Sequence, residues 1–151
     1  MNTDKYSVLV VDDEPAIRQI LCRSIGSAGF GVAQATDGVD ALRQMERQPF
    51  DIVVTDIGMP NMDGMELLTK IRRHYSRTYV VLITGQRAAL VDSKVREAGA
   101  DDLISKPFRN VDIIRKLKQL LQSGSPRKAR VAPTKTSVQQ NADPADQTSS
   151  K

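Results

Sequence analysis

Groups able to do chemistry sit in this chain at the ends of short apolar runs. Ser7-Val8-Leu9-Val10-Val11 runs into Asp12-Asp13, and Ile52-Val53-Val54-Thr55 runs into Asp56. Tyr79-Val80-Val81-Leu82-Ile83 runs into Thr84, and Asp102-Leu103-Ile104-Ser105 runs into Lys106. Three carboxylates, a hydroxyl and an amine make a complementary set. Carboxylates held close together repel one another, so a cation is expected among them. An all-oxygen ligand set with few protein donors and positions left for water suits Mg2+. Taken singly, Asp13 reads as a cap of the first helix and Asp37 as a cap of the second. Five complementary groups at the ends of four runs read instead as one site.

The elements that position them alternate regularly. Continuous rather than alternating apolarity marks strands buried on both faces, as in a parallel sheet. Strands are expected at 7–11, 30–35, 51–56, 79–84 and 102–106. Between them the apolar residues recur at helical spacing. Pro15 opens a helix with Ile17, Ile20, Leu21 and Ile25 inward, closed by Gly26 and Gly29. Helices over 37–47 (Val39, Leu42, Met45 inward), 65–74 (Leu67, Leu68, Ile71), 88–98 and 111–122 (Ile113, Ile114, Leu117, Leu120, Leu121) complete the series. Gly58-Met59-Pro60-Asn61-Met62-Asp63-Gly64 reads as a loop. Five βα units predict an α/β domain, a doubly wound five-stranded parallel sheet with five helices. Ligands of open parallel sheets bind beyond the carboxyl ends of the strands, where these five groups converge.

Composition bounds the surroundings. The chain has 151 residues and 40% hydrophobic content, enough for one domain with a core. After Gly124 large apolar residues almost vanish and Pro, Ser, Thr, Gln and Lys dominate. Residues 1–123 are therefore expected to form the domain, and 124–151 a disordered basic tail. That tail carries Arg127, Lys128, Arg130, Lys135 and Lys151 against Asp143 and Asp146, which places +3 of the +4 net charge outside the domain. A nearly neutral body argues against direct nucleic-acid binding by the domain. Cys22 is the single cysteine, which forbids an intrachain disulfide and fits a reducing compartment. The first residues show no apolar leader, and no stretch approaches the roughly 18 apolar residues of a membrane span. A cytoplasmic location with no membrane association is expected.

Asp12-Asp13, Asp56, Thr84 and Lys106-Pro107, with the phrases Met59-Pro60-Asn61-Met62-Asp63-Gly64 and Ala98-Gly99-Ala100-Asp101, resemble the signature of the response-regulator receiver domain. The resemblance runs from Lys5 to Leu121 and implies the flavodoxin-like receiver fold. It implies a two-component regulator that accepts a phosphoryl group on Asp56 from a sensor histidine kinase or phosphotransfer protein. Signalling would then pass by phosphorylation-dependent contact to a downstream target protein. It further implies that Asp12, Asp13, Asp56 and the backbone carbonyl of Gly58 serve Mg2+. Lys106 would pair with the phosphoryl oxygens, and Thr84 would hydrogen-bond one of them. The Lys106–Pro107 peptide would be cis and aim the amine. Such a chain is no enzyme beyond catalysing its own phosphorylation and dephosphorylation.

Two positions depart from the family pattern. Leu103 stands where the switch aromatic is usual, three residues before the Lys, so a looser switch is expected. Gly58 stands where a longer side chain is frequent, which leaves a phosphoryl group more open to water. His74, the single histidine, reads as a solvated helix-end residue, and Cys22 as core packing. A haloacid-dehalogenase-like phosphatase would need a second Asp two positions after the nucleophile, where this chain has Gly58. No Gly-rich fingerprint follows the first strand, which sets aside a dinucleotide-binding domain. A receiver used only as an unphosphorylated scaffold would not need the whole acidic, Thr and Lys set. No helix-turn-helix pattern follows Gly124, so the tail is either native or a linker to a separate output domain.

Overall fold

In the computed structural model, residues 3–85 and 88–122 are described. The expected tail over 124–151 lies outside them. Five strands and five helices alternate: β1 (Ser7–Val11), α1 (Pro15–Ser27), β2 (Gly31–Ala35), α2 (Gly38–Arg47), β3 (Ile52–Asp56), α3 (Gly64–His74), β4 (Tyr79–Thr84), α4 (Ala88–Glu97), β5 (Asp102–Ser105) and α5 (Asn110–Gln122). The strands form one parallel sheet in the order β2-β1-β3-β4-β5. The order reverses between β1 and β3, which opens a crevice at their carboxyl ends.

The continuous apolar runs are buried on both faces. Every residue of β3 and β4 is buried, as are Val8 to Val11 of β1. One core layer sets Leu9, Val11, Val53, Val80 and Leu82 against Leu67, Leu68 and Ile71 of α3, Met45 of α2 and Val95 of α4. The other sets Val8, Val10, Ile52, Val54, Val81 and Ile83 against Leu21 and Ile25 of α1 and Ile113, Leu117 and Leu121 of α5. Successive strand residues thus feed opposite layers, as the period of two requires.

The helical stripes are narrower than the sequence pattern suggests. Ile20 is 48% exposed and Val39 is 42% exposed, so both face solvent rather than the core. Phe30 precedes β2 instead of joining it, and is buried in the layer under α1. Asp51 precedes β3, where its carboxylate accepts from the Ser7 N–H at 2.9 Å. Helix starts obey local chemistry at α2 and α3. Asp37 Oδ1 accepts from the Asp40 N–H and Asp63 Oδ1 from the Glu66 N–H, each at 2.9 Å. The Asp40 bond, with a second from Asn61, holds the Asp37 carboxyl below its ordinary range. At α1 the N-cap is Glu14, not Asp13, and no side-chain cap bond forms there.

A half-buried ion pair fastens the far end of the domain. Arg72 near the end of α3 donates to the carbonyls of Gly99 and Thr78 and to Asp101 Oδ2, each at 2.8 Å. The same Asp101 oxygen accepts from the Val80 N–H at 2.8 Å, so α3, β4 and the turn after α4 are joined at one point.

Candidate functional site

The crevice gathers the residues that end the strands. Asp12 follows β1 directly and is fully buried, while Asp13 beside it is exposed. Asp56 closes β3 at 6% exposure, and Thr84 closes β4 at 3%. Asp12, Asp13 and Asp56 each offer a carboxylate oxygen, and these oxygens all lie within 4.8 Å of one another. Lys106 follows β5 with its Nζ 3.4 Å from Asp56 Oδ2. The Lys106 N–H donates to the Thr84 carbonyl at 2.8 Å, which ties the amine's backbone to the end of β4. The Lys106–Pro107 peptide bond is cis.

The acidic pocket is asymmetric in its hydrogen bonding. Asp12 Oδ1 accepts from the Glu14 N–H at 2.9 Å. Asp12 Oδ2 is buried and has no hydrogen-bond partner among the described residues. A buried carboxylate oxygen without a donor is costly, and a cation placed against it would relieve that cost. Burial pushes the Asp12 carboxyl above its ordinary range, and the charges of Asp56 and Asp13 push the same way. Burial also raises Asp56, while Lys106 pulls it back down. Both carboxyls therefore hold protons more readily than they would in water. Such a donor set, oxygen only and short of positive charge, fits a hard divalent cation.

The walls differ sharply. Gly64, the first residue of α3, leaves no room for a side chain: a Cβ there would strike the Asp56 carbonyl oxygen and the Cα of Ile57. Its N–H donates to the Ile57 carbonyl at 2.7 Å, so α3 presses on the main chain just after β3. At Gly58 and Gly85 a Cβ would meet nothing within 4 Å, and both residues are exposed.

The other residues singled out in the sequence lie apart. Leu103 on β5 is 7% exposed and packs in the layer with Val95 and Ala100. His74 is exposed at the end of α3, and Cys22 packs half-buried against the layer under α1. Glu14 carries an interaction that sequence reading missed. Its Oε1 lies 4.0 Å from Lys106 Nζ. Its place between Asp13 and Pro15 puts it next to the acidic pair, but no sequence signal pairs it with Lys106.

Among the described residues no helix is long and apolar enough to cross a membrane. A family model described as the response regulator receiver domain matches residues 8–118. The sensor histidine kinase RcsC of Escherichia coli is 38% identical over 114 residues, covering 76% of this chain and 12% of that protein. The response regulator MprA of a Mycobacterium species is 33% identical over 137 residues, covering 91% of this chain and 60% of that protein. The chain therefore spans less than two thirds of the length of either relative. Among solved structures, the response regulator TrrA of Thermotoga maritima, in complex with Mg2+-BeF, matches with a TM-score of 0.70 at 31% identity. That match covers 77% of this chain and 99% of the other.

Proposed function

The chain belongs to the response regulator receiver domain family of two-component signalling, and from that premise we propose that Asp56 is its phosphoacceptor. The observation that carries this reading is the placement of Asp56. It is buried at the end of β3, within reach of Asp12 and Asp13 on one side and of the Lys106 amine on the other. An Asp56 carboxylate oxygen attacks the phosphorus of a phosphohistidine on a sensor histidine kinase or phosphotransfer protein. The P–N bond breaks, its electron pair stays on the imidazole nitrogen, and that nitrogen takes up a proton from water. Phosphoryl transfer is mostly positioning and charge stabilisation, so few further groups are needed. In this sense the domain catalyses only its own phosphorylation and the later hydrolysis.

Asp12, Asp13 and Asp56, with the Gly58 carbonyl, would hold Mg2+, and the unpartnered Asp12 Oδ2 supports that fit. The ion when bound masks the negative charge that a carboxylate presents to an anionic phosphoryl group. Lys106 offers its amine to the phosphoryl oxygens, and Thr84 its hydroxyl. The product adds roughly −1.5 to −2 charges at the end of β3. Drawing Thr84 and Lys106 toward that charge biases the segments that follow them, α4 and the start of α5.

The downstream partner is a protein that prefers the phosphorylated form and contacts the α4, β5 and α5 face. Leu103 starts buried beneath that face, and a leucine has no hydroxyl to exchange between solvent and interior. The switch is then looser than one built on an aromatic residue. The domain occupies residues 1–123 and works in the cytoplasm, with residues 124–151 as an extension.

Exposure to acetyl phosphate with Mg2+ tests the acceptor. One acid- and base-labile phosphoryl group is expected by intact mass on the wild type and none on Asp56→Asn. Equal labelling of the two refutes the assignment.

A further inference from the structure

Glu14 is a fourth carboxylate at the mouth of the crevice, placed where it does no structural work for its own helix. It is the N-cap of α1, yet its side chain makes no capping bond. The main chain of the residue is fixed, because its N–H donates to Asp12 Oδ1 at 2.9 Å and its carbonyl accepts from the Arg18 N–H at 3.0 Å. From that fixed point the carboxylate, 60% exposed, reaches Lys106 Nζ at 4.0 Å. The same amine lies 3.4 Å from Asp56 Oδ2 and is 26% exposed. Lys106 is therefore shared between an inner carboxylate and an outer one. An exposed pair of this kind adds little to stability. Its consequence falls on whatever anion must enter between the two partners.

We propose that Glu14 is a specificity-determining counter-ion that competes with an incoming phosphoryl group for Lys106. A free phosphodonor carries its own negative charge past Glu14 and must displace it from the amine. A donor presented on a docked protein meets the same carboxylate at a high effective concentration, so the competition weighs less on it. Glu14 thereby disfavours small diffusible phosphodonors relative to protein-borne ones. The proposal rests on the reading of Asp56 as the acceptor.

The test compares wild type and Glu14→Gln with acetyl phosphate and Mg2+, following phosphoryl incorporation by intact mass over a range of donor concentrations at low and high salt. At low salt the half-saturating donor concentration should fall about three- to tenfold in Glu14→Gln, as expected for one unit charge removed near a protein surface. The difference should shrink below about twofold near 0.5 M KCl, where screening acts within a few ångströms. The affinity for beryllofluoride, read by NMR without turnover, should rise in the same direction. An unchanged half-saturation, a change confined to the maximal rate, or a difference that persists at high salt overturns the proposal. Wild type that labels normally while the variant behaves identically defeats this inference alone. Wild type that takes up no phosphoryl group defeats the acceptor reading and this inference with it.

Discussion

Replacing Asp12 by Asn should make the metal-free domain more stable while removing its response to Mg2+. The structure supplies the magnitude. Asp12 is fully buried, one of its oxygens lacks a partner among the described residues, and its neighbours Asp13 and Asp56 place oxygens within 4.8 Å. At that separation and an effective dielectric of about 20, a pair of like charges repels by about 3–4 kcal/mol. Lys106 offsets part of this repulsion, and the Asn amide can donate to Asp56 while its oxygen keeps the Glu14 N–H. A net gain of about 1–3 kcal/mol is expected, or about 3–10 °C in melting temperature for a domain of this size. Wild type with Mg2+ at ten times its dissociation constant should recover about 1.4 kcal/mol, and Asp12→Asn should recover almost none. The pH dependence has a fixed sign. Burial raises the Asp12 and Asp56 carboxyls in the folded state. The folded chain therefore binds protons more readily than the unfolded one. Their contribution is fully present below the unfolded value near 4 and is lost as pH rises through the raised folded values. Metal-free wild type should thus lose stability over that window, and Asp12→Asn should lose less. Thermal melts in EDTA and in Mg2+ across that pH range decide the matter. A variant less stable than wild type in EDTA, or one with an undiminished Mg2+ increment, refutes the reasoning.

Two further outcomes follow from other parts of the molecule. Gly58→Asn places a side chain in open space two residues after Asp56. It should slow loss of the phosphoryl group about two- to tenfold by excluding water, measured as the decay of the phosphorylated mass after donor removal, and an unchanged lifetime would count against it. Arg72→Leu removes the guanidinium that donates to Asp101 and to the Gly99 and Thr78 carbonyls. It should cost about 2–4 kcal/mol in urea unfolding, and a loss below about 1 kcal/mol would show that the clamp is dispensable.

The fold was legible because local signals agreed with one another. Apolar runs ending in polar groups located β1, β3, β4 and β5 to within a residue or so, and β2, largely uncovered and ending in Ala35, was placed by its position between two helical stretches. The same pattern brought Asp12, Asp13, Asp56, Thr84 and Lys106 to one edge without any knowledge of pairing. Periodicity was less reliable for the limits of each buried stripe. Ile20 and Val39 keep the spacing of core residues yet face solvent, because spacing defines a helical face but not how far a neighbouring layer covers it. Cap identity was half visible: Asp37 binds the Asp40 N–H as its position suggests, while Asp13 yields the N-cap of α1 to Glu14. Pairings distant in sequence were not visible at all. Nothing near Arg72 announces Asp101, 29 residues away, and nothing near Glu14 announces Lys106. Those contacts depend on which loop returns to which strand end, which only the assembled sheet determines.

The fit of Gly64 against the Asp56 carbonyl gives the domain a mechanical direction. Just after β3 the chain has no slack, since α3 abuts the backbone with hydrogen in place of a side chain. At Gly58 and Gly85, by contrast, no atom among the described residues stands within 4 Å of where a side chain would begin. On the proposed reading of Asp56 as the phosphoacceptor, charge arriving there meets a tightly packed backbone at Gly64 and unfilled space at Gly58 and Gly85. In that case α3 would serve as the fixed frame, and movement would fall to the chain around Gly58 and Gly85.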